Sequence, residues 1–276
     1  GAQAPDGEDW CYYSYANGQR IHTNYWRCCK SSGAMAIEEL QGVAYAERDD
    51  GPVVNLLGPG EATFDRIDAG RVRIVQDTGY PFDGGVRFAL AVEREADFVL
   101  HIRIPAWAQG ATLAINGAPV DAALVAGDYA RLARTWRDGD VVTLDLPMSP
   151  RVHRRSYRNV QISRAPDGSP VRQQVLHYAW IAFGRGPLAY ATGLIDGYKT
   201  SEIVRLSDDD AQIRLETLPP QGDAPAVGLR LHLDDRAPID FAPYYGLGAR
   251  ADRIWRLTWL GLAPQGGVDS GDCGAL

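Results

Sequence analysis

The chain has 276 residues, 45% hydrophobic and 23% charged, with a formal net charge of -7. At roughly 100–200 residues per domain this is about two domains of ordinary globular composition, which excludes a disordered acidic tail, a collagen-like repeat and a membrane protein. The pI near 5.3 leaves no concentrated positive charge for a phosphate backbone, so no nucleic-acid partner is expected.

The first 30 residues run through Trp10-Cys11-Tyr12-Tyr13 to Tyr25-Trp26-Arg27-Cys28-Cys29-Lys30, show no clean period and read as loop. Ser31 or Ser32 offers an N-cap; Met35 or Ala36, Leu40, Val43 and Ala44 then recur at helical spacing, with acidic residues early. This predicts one helix over about 32–47, stopped by Asp49-Asp50-Gly51-Pro52. From Pro52 the pattern becomes short strands: 53–57, 71–75, 86–92, 98–104, 113–115, 129–132 and 141–146, several alternating polar with apolar residues. Asn116-Gly117 is a hairpin signal, because both central residues of a type I′ turn need positive φ. With turns at short intervals and no interleaved helices, the stretch predicts an antiparallel sandwich. Arg151 to Arg172, with Pro166-Asp167-Gly168-Ser169-Pro170 inside it, reads as a connector or exposed excursion. Strand-like runs resume at 181–183, 188–191, 212–215, 229–233 and 253–259. The Gly-rich tail 264–276, with Cys273, reads as frayed.

No window reaches the roughly 18 apolar residues of a spanning helix, so no membrane partner is expected. No signal peptide is visible, and the expected compartment leans slightly to the cytoplasm. Four cysteines are too few for a disulfide scaffold, but two of them are adjacent. Neighbouring Cα atoms lie about 3.8 Å apart, below the usual disulfide separation of roughly 4.4–6.8 Å. A bond between Cys28 and Cys29 would be strained. Two such thiols can bind one metal, or one can act as a nucleophile; Arg27, Lys30 and a following helix N-terminus all favour the thiolate that both roles need. The alternative is a pair of small buried hydrophobes.

The stretch Tyr25 to Met35, a helix, and then Val53-Val54-Asn55-Leu56 resembles the late catalytic segment of glycoside hydrolase family 127 (GH127), the β-L-arabinofuranosidase-like family. Further pieces follow in the family's order: Thr78-Gly79-Tyr80-Pro81-Phe82, Leu100 to Trp107, Ile115-Asn116-Gly117, Gly127-Asp128-Tyr129, Thr135 to Asp140, Leu146-Pro147-Met148 and Gly186-Pro187-Leu188-Ala189-Tyr190. The resemblance implies a zinc-dependent retaining glycosidase with a cysteine nucleophile, acting on non-reducing-end β-L-arabinofuranosides. Cys28 would be nucleophile and zinc ligand, and Cys29 a second ligand. The resemblance also implies a large helical barrel in front of the pair, carrying the other zinc ligands and the acid/base. Apart from the resemblance, His22 is the histidine near the pair in sequence and a candidate supporting or substrate contact. Glu8 and Cys11 do not stand in the family's Glu-x-Cys pattern and take no such role.

The expected fold is mainly β: antiparallel sandwich domains preceded by one helix, the remnant of an (α/α) barrel. The expected divisions are 1–50 (barrel remnant with the cysteine pair), 51–152 (middle sandwich), 153–263 (second β-rich region) and 264–276 (tail). The expected partners are a carbohydrate substrate and the missing barrel, without which the isolated chain is expected to be inactive. The alternative function is a non-catalytic sandwich that supports a partner domain or binds carbohydrate. Glu38 and Glu39 point about 100° apart on a helix and read as a solvated face. Trp107, Trp136, Trp180, Trp255 and Trp259 read as core before they read as a sugar platform. The histidines at 22, 101, 153, 177 and 232 show no metal-ligand spacing, and Asp208-Asp209-Asp210 reads as a solvated loop.

Overall fold

Short alternating strands in the sequence become two β-rich units in the computed structural model, which describes residues 3, 10–22, 27–120, 124–197, 202–220, 226–248 and 253–263. One unit is Tyr25–Ser149 with Arg185–Leu188; the other is Gly1–Asn24 with Pro150–Gly184 and Ala189–Leu276.

The Tyr25–Ser149 unit is a sandwich. Its larger sheet orders the strands Ala118–Pro119, Thr112–Ile115, Val141–Asp145, Gly85–Val92, Gly70–Thr78 and Gly60–Arg66; the smaller orders Tyr129–Trp136, Ala96–Arg103, Gly51–Val54 and Tyr45–Arg48. Alternation drives this layering: Val72, Ile74 and Gln76 are buried while Arg71, Arg73 and Asp77 are exposed. Successive strand residues face opposite sides, so one face of each sheet is apolar and the two faces close on each other. Ile74, Phe88, Leu100, Ile102, Trp136 and Leu144 belong to one buried cluster. Trp136 is fully buried, stacks on Phe98 at 5.8 Å and donates its indole N–H to the Phe98 carbonyl at 3.0 Å. The core role expected for it holds. Asn116 and Gly117 take φ of 51° and 81°, the left-handed pair the hairpin signal requires.

The α-helix is Arg27–Ala44, not 32–47. Ser31 and Ser32 lie exposed inside the helix, not at its N-cap. The helix stops earlier because Tyr45–Arg48 pairs antiparallel with Gly51–Val54 around the Asp49-Asp50 turn, and a strand ladder overrides local helical spacing. Gly51 is obligatory there: its φ is 153°, and a Cβ would collide with the Val99 carbonyl.

In the other unit Cys11–Ser14 pairs with Arg20–His22, so the start of the chain is not all loop. The stretch read as an excursion is a long hairpin, Pro150–Arg164 against Pro170–Arg185. Its length escapes a local reading because its two arms pair with each other, a partnership that neither arm's own pattern shows. Its turn was legible, since Gly168 has φ 83° and the Asp167 carboxylate accepts from the Ser169 N–H and hydroxyl. The run at 212–215 is a 3-10 turn, Asp210–Gln212, followed by the strand Leu215–Leu218, and only Arg256–Leu257 of the run at 253–259 is strand. Phe183 meets Phe241 edge-on at 5.1 Å within this unit's buried set. Arg256 is fully buried with no carboxylate beside it among the described residues. Its guanidinium donates to the Tyr244 hydroxyl at 3.0 Å and lies 4.0 Å from that ring's centroid, and burial lowers its pKa.

Candidate functional site

Cys28 occupies the first turn of the helix Arg27–Ala44 and is exposed. The first turn carries no acidic side chain, so no local carboxylate offsets the partial positive charge of the unpaired N–H groups there. Cys29 follows on the same helix; its side chain lies outside the described residues, so the buried-hydrophobe alternative is not met at Cys28 and stays open at Cys29. Glu38 and Glu39 are exposed, as a solvated face requires.

The far end of this helix is fixed by a residue from outside it. The helix has no basic residue in its last turn and passes from Ala44 straight into the strand at Tyr45, so no glycine cap closes it. Asn55 takes over that task. Its N–H and that of Leu56 donate to the Ala44 carbonyl at 2.9 and 3.1 Å, and its side-chain amide donates to the Val43 carbonyl at 3.0 Å. The Asn55 amide oxygen then accepts from the Tyr129 hydroxyl at 2.6 Å. Two of the short pieces quoted from the sequence, Val53-Val54-Asn55-Leu56 and Gly127-Asp128-Tyr129, thus meet to latch the cysteine-bearing helix to the sandwich. Sequence reasoning quoted both residues without assigning them this task. The only signal for it was the absence of a cap after Ala44.

Four other pieces converge at one place in the same unit. Tyr80 stacks on Trp107 at 6.5 Å and 12°, and the Trp107 indole hydrogen-bonds its hydroxyl. Burial raises the Tyr80 phenol above its ordinary pKa, against the opposing effects of that bond and the Arg103 charge. Arg185 donates to the Phe82 carbonyl at 2.8 Å, and the Leu146 N–H to the Gly84 carbonyl at 3.0 Å. A Cβ on Gly186 would meet Met148 Cε at 2.5 Å, and one on Gly84 would strike the Leu146 carbonyl. Both glycines permit close approach, and the motif pieces that meet here are packing joints.

Elsewhere in this unit a hydrogen bond from the buried His101, at 2.9 Å, is the largest influence holding Asp50 below the usual carboxylate range, with Arg131 adding to it at 3.0 Å. Burial pushes Asp140 up, but hydrogen bonds from the Asn116 amide and the Arg137 N–H, with the Arg134 and Arg137 charges, outweigh it and leave the pKa lowered. Both carboxylates secure turns. His22 ends the strand Arg20–His22, with Cys11 as its Cα partner, in the other unit; its side chain lies outside the described residues.

A tetrahedral zinc takes four ligands and accepts thiolates readily. Cys28 and Cys29 offer half of such a set, and among the described residues no group of three or more His, Cys, Asp or Glu converges. The donor chemistry suits zinc; the remaining ligands would come from outside the described residues.

Residues 53–148 match the family model described as beta-L-arabinofuranosidase, GH127 middle domain. A solved structure described as a glycoside hydrolase is 26% identical with TM-score 0.67, over 95% of this chain and 46% of that one. A GH127 β-L-arabinofuranosidase from Geobacillus stearothermophilus T6 is 21% identical with TM-score 0.70, over 95% and 44%. A further GH127 β-arabinofuranosidase is 19% identical with TM-score 0.69, over 95% and 43%. No curated protein matches the chain. The resemblance read from the sequence therefore holds as a likeness: residues 53–148 match the GH127 middle-domain model, and solved GH127 enzymes share the fold. The mainly β fold expected of it holds as well. The chain spans less than half the length of those solved structures. No helix among the described residues is long and apolar enough to cross a membrane.

Proposed function

We propose that this chain is the carboxyl-terminal part of a zinc-dependent, retaining glycoside hydrolase acting on non-reducing-end β-L-arabinofuranosides, with Cys28 as nucleophile. One observation carries the reading: an exposed cysteine, with a second beside it, in the first turn of a helix that Asn55 ties directly to a GH127 middle domain. The barrel that completes the site lies outside this chain, and the helix Arg27–Ala44 would be one of its helices. The chain alone is inactive on this reading.

The roles divide as follows. Cys28 Sγ attacks the anomeric carbon, the bond to the leaving oxygen breaks, and an acid supplied by the front domain protonates that oxygen. Water then displaces the sulfur with the same group acting as base, which returns the thiolate and retains configuration. Cys28 and Cys29 would hold the zinc, whose charge keeps coordinating thiols deprotonated. Asn55 and Tyr129 set where the helix sits.

The test is hydrolysis of a chromogenic β-L-arabinofuranoside by the full-length parent protein. Cys28→Ala should abolish turnover, and Cys28→Ser and Cys29→Ser should each lose stoichiometric zinc by elemental analysis. A parent whose rate survives Cys28→Ala refutes the nucleophile. A metal-free parent that hydrolyses nothing and still retains glycans would make the supporting or carbohydrate-binding module the better reading.

A further inference from the structure

Trp180 and Trp259 stay out of the core that was expected to take them. Trp180 stands half-exposed in the strand Pro170–Arg185, and the residue directly opposite on the neighbouring strand is Gly261, which contributes no side chain over its ring. Trp259 lies half-exposed in the bend before Leu260–Leu262. Asn17 locks that bend. Its amide oxygen accepts from the Thr258 and Trp259 N–H groups at 3.0 and 2.9 Å, and its amide nitrogen donates to the Trp259 carbonyl at 2.7 Å. The two tryptophans, Ala16, Asn17 and Arg155 line a cleft of about 310 Å³. Tyr178, 42% exposed, stacks on Trp180 at 5.5 Å and 10° and lengthens the aromatic wall. Among the described residues nothing accepts from either indole N–H, and the exposed Arg155 has neither a hydrogen bond nor an ion pair.

We propose that this cleft is a saccharide-binding site. Its volume sits at the low end of the roughly 300–1,000 Å³ of small-molecule sites, and its make-up, aromatic walls with a few convergent polar groups, is theirs too. A sugar ring matches this on both counts: its C–H face covers indole that is now wet, and its oxygens accept from two indole N–H groups and a guanidinium. A purely apolar ligand would leave those three donors facing hydrocarbon, at a desolvation cost it has no means to offset. An extended peptide needs a longer groove. The rigid bend means little ordering is required on binding, which favours affinity from a small contact. The proposal does not depend on the role given to Cys28, because its readout is binding and not turnover.

Native electrophoresis of the 276-residue chain through gels containing debranched arabinan or polygalacturonate separates a neutral from an acidic ligand. Retardation is expected in at least one polymer. Trp180→Ala and Trp259→Ala should weaken it by about tenfold or more, a loss of roughly 1.4 kcal/mol. Trp180→Phe should recover part of it. Arg155→Ala, at an exposed position that folding does not need, should weaken it roughly fivefold with unchanged near-ultraviolet circular dichroism. No retardation in either polymer overturns the proposal. So does retardation that Trp180→Ala and Arg155→Ala both leave intact, which would mark binding elsewhere on the surface.

Discussion

Asn55→Ala tests the latch on which the position of the cysteine helix rests. The variant keeps the Asn55 and Leu56 N–H bonds to the Ala44 carbonyl and deletes two others, to Val43 at 3.0 Å and from Tyr129 at 2.6 Å. Each is worth about 0.5–1.5 kcal/mol net, and partial exposure places both toward the lower half, so the loss should be roughly 1–2 kcal/mol. At about 2–4 °C per kcal/mol this lowers Tm by roughly 2–8 °C. Tyr129→Phe removes one of the same two bonds. In a double-mutant cycle by denaturant unfolding, the pair should therefore cost less than the sum of the singles by about 0.5–1 kcal/mol. Asn55→Asp should be worse than Asn55→Ala, since it exchanges a donor for a negative charge at the negative end of the helix. If the two single changes add within about 0.3 kcal/mol, the side-chain latch is not a unit and the argument fails.

Asp140→Asn should cost roughly 1–3 kcal/mol near neutral pH, because hydrogen bonds from Asn116 and the Arg137 N–H reach a carboxylate held ionised. A carboxylate with a lowered folded pKa stabilises above its unfolded value and loses that contribution as pH falls through the folded one. The wild type should therefore lose Tm relative to Asp140→Asn below about pH 4, as Tm measured against pH would show. Gly84→Ala drives a Cβ into the Leu146 carbonyl, which cannot swing away as a side chain can, so a loss of about 1–3 kcal/mol or more is expected in chemical denaturation. Ile37 and Leu40 are 46% and 49% exposed on the cysteine helix. Replacing both with lysine should reduce self-association in sedimentation without lowering Tm, whereas a clear drop in Tm would show that the pair is buried in solution.

Period and turn chemistry were enough to read the sandwich from the sequence. Alternation at Val72-Arg73-Ile74 and Phe88-Ala89-Leu90 marks a buried face because a strand turns its side chains with period two, and Asn116-Gly117 marks a hairpin because few residues reach positive φ. The adjacent cysteines were visible because side-by-side thiols are hard to explain as a disulfide. Four determinants lay beyond that reach, each depending on partners distant in the chain. The helix ends at Ala44 because a later strand and Asn55 receive it. Gly84 and Gly186 matter because Leu146 and Met148 approach them. Arg151 to Arg172 is a hairpin because its two arms find each other. Trp180 has no side chain opposite it because Gly261, eighty-one positions on, is its partner across the ladder. Local pattern determines which residues can lie on a face. Only the closed fold decides which faces are covered, because burial belongs to pairs of segments and no single segment carries it.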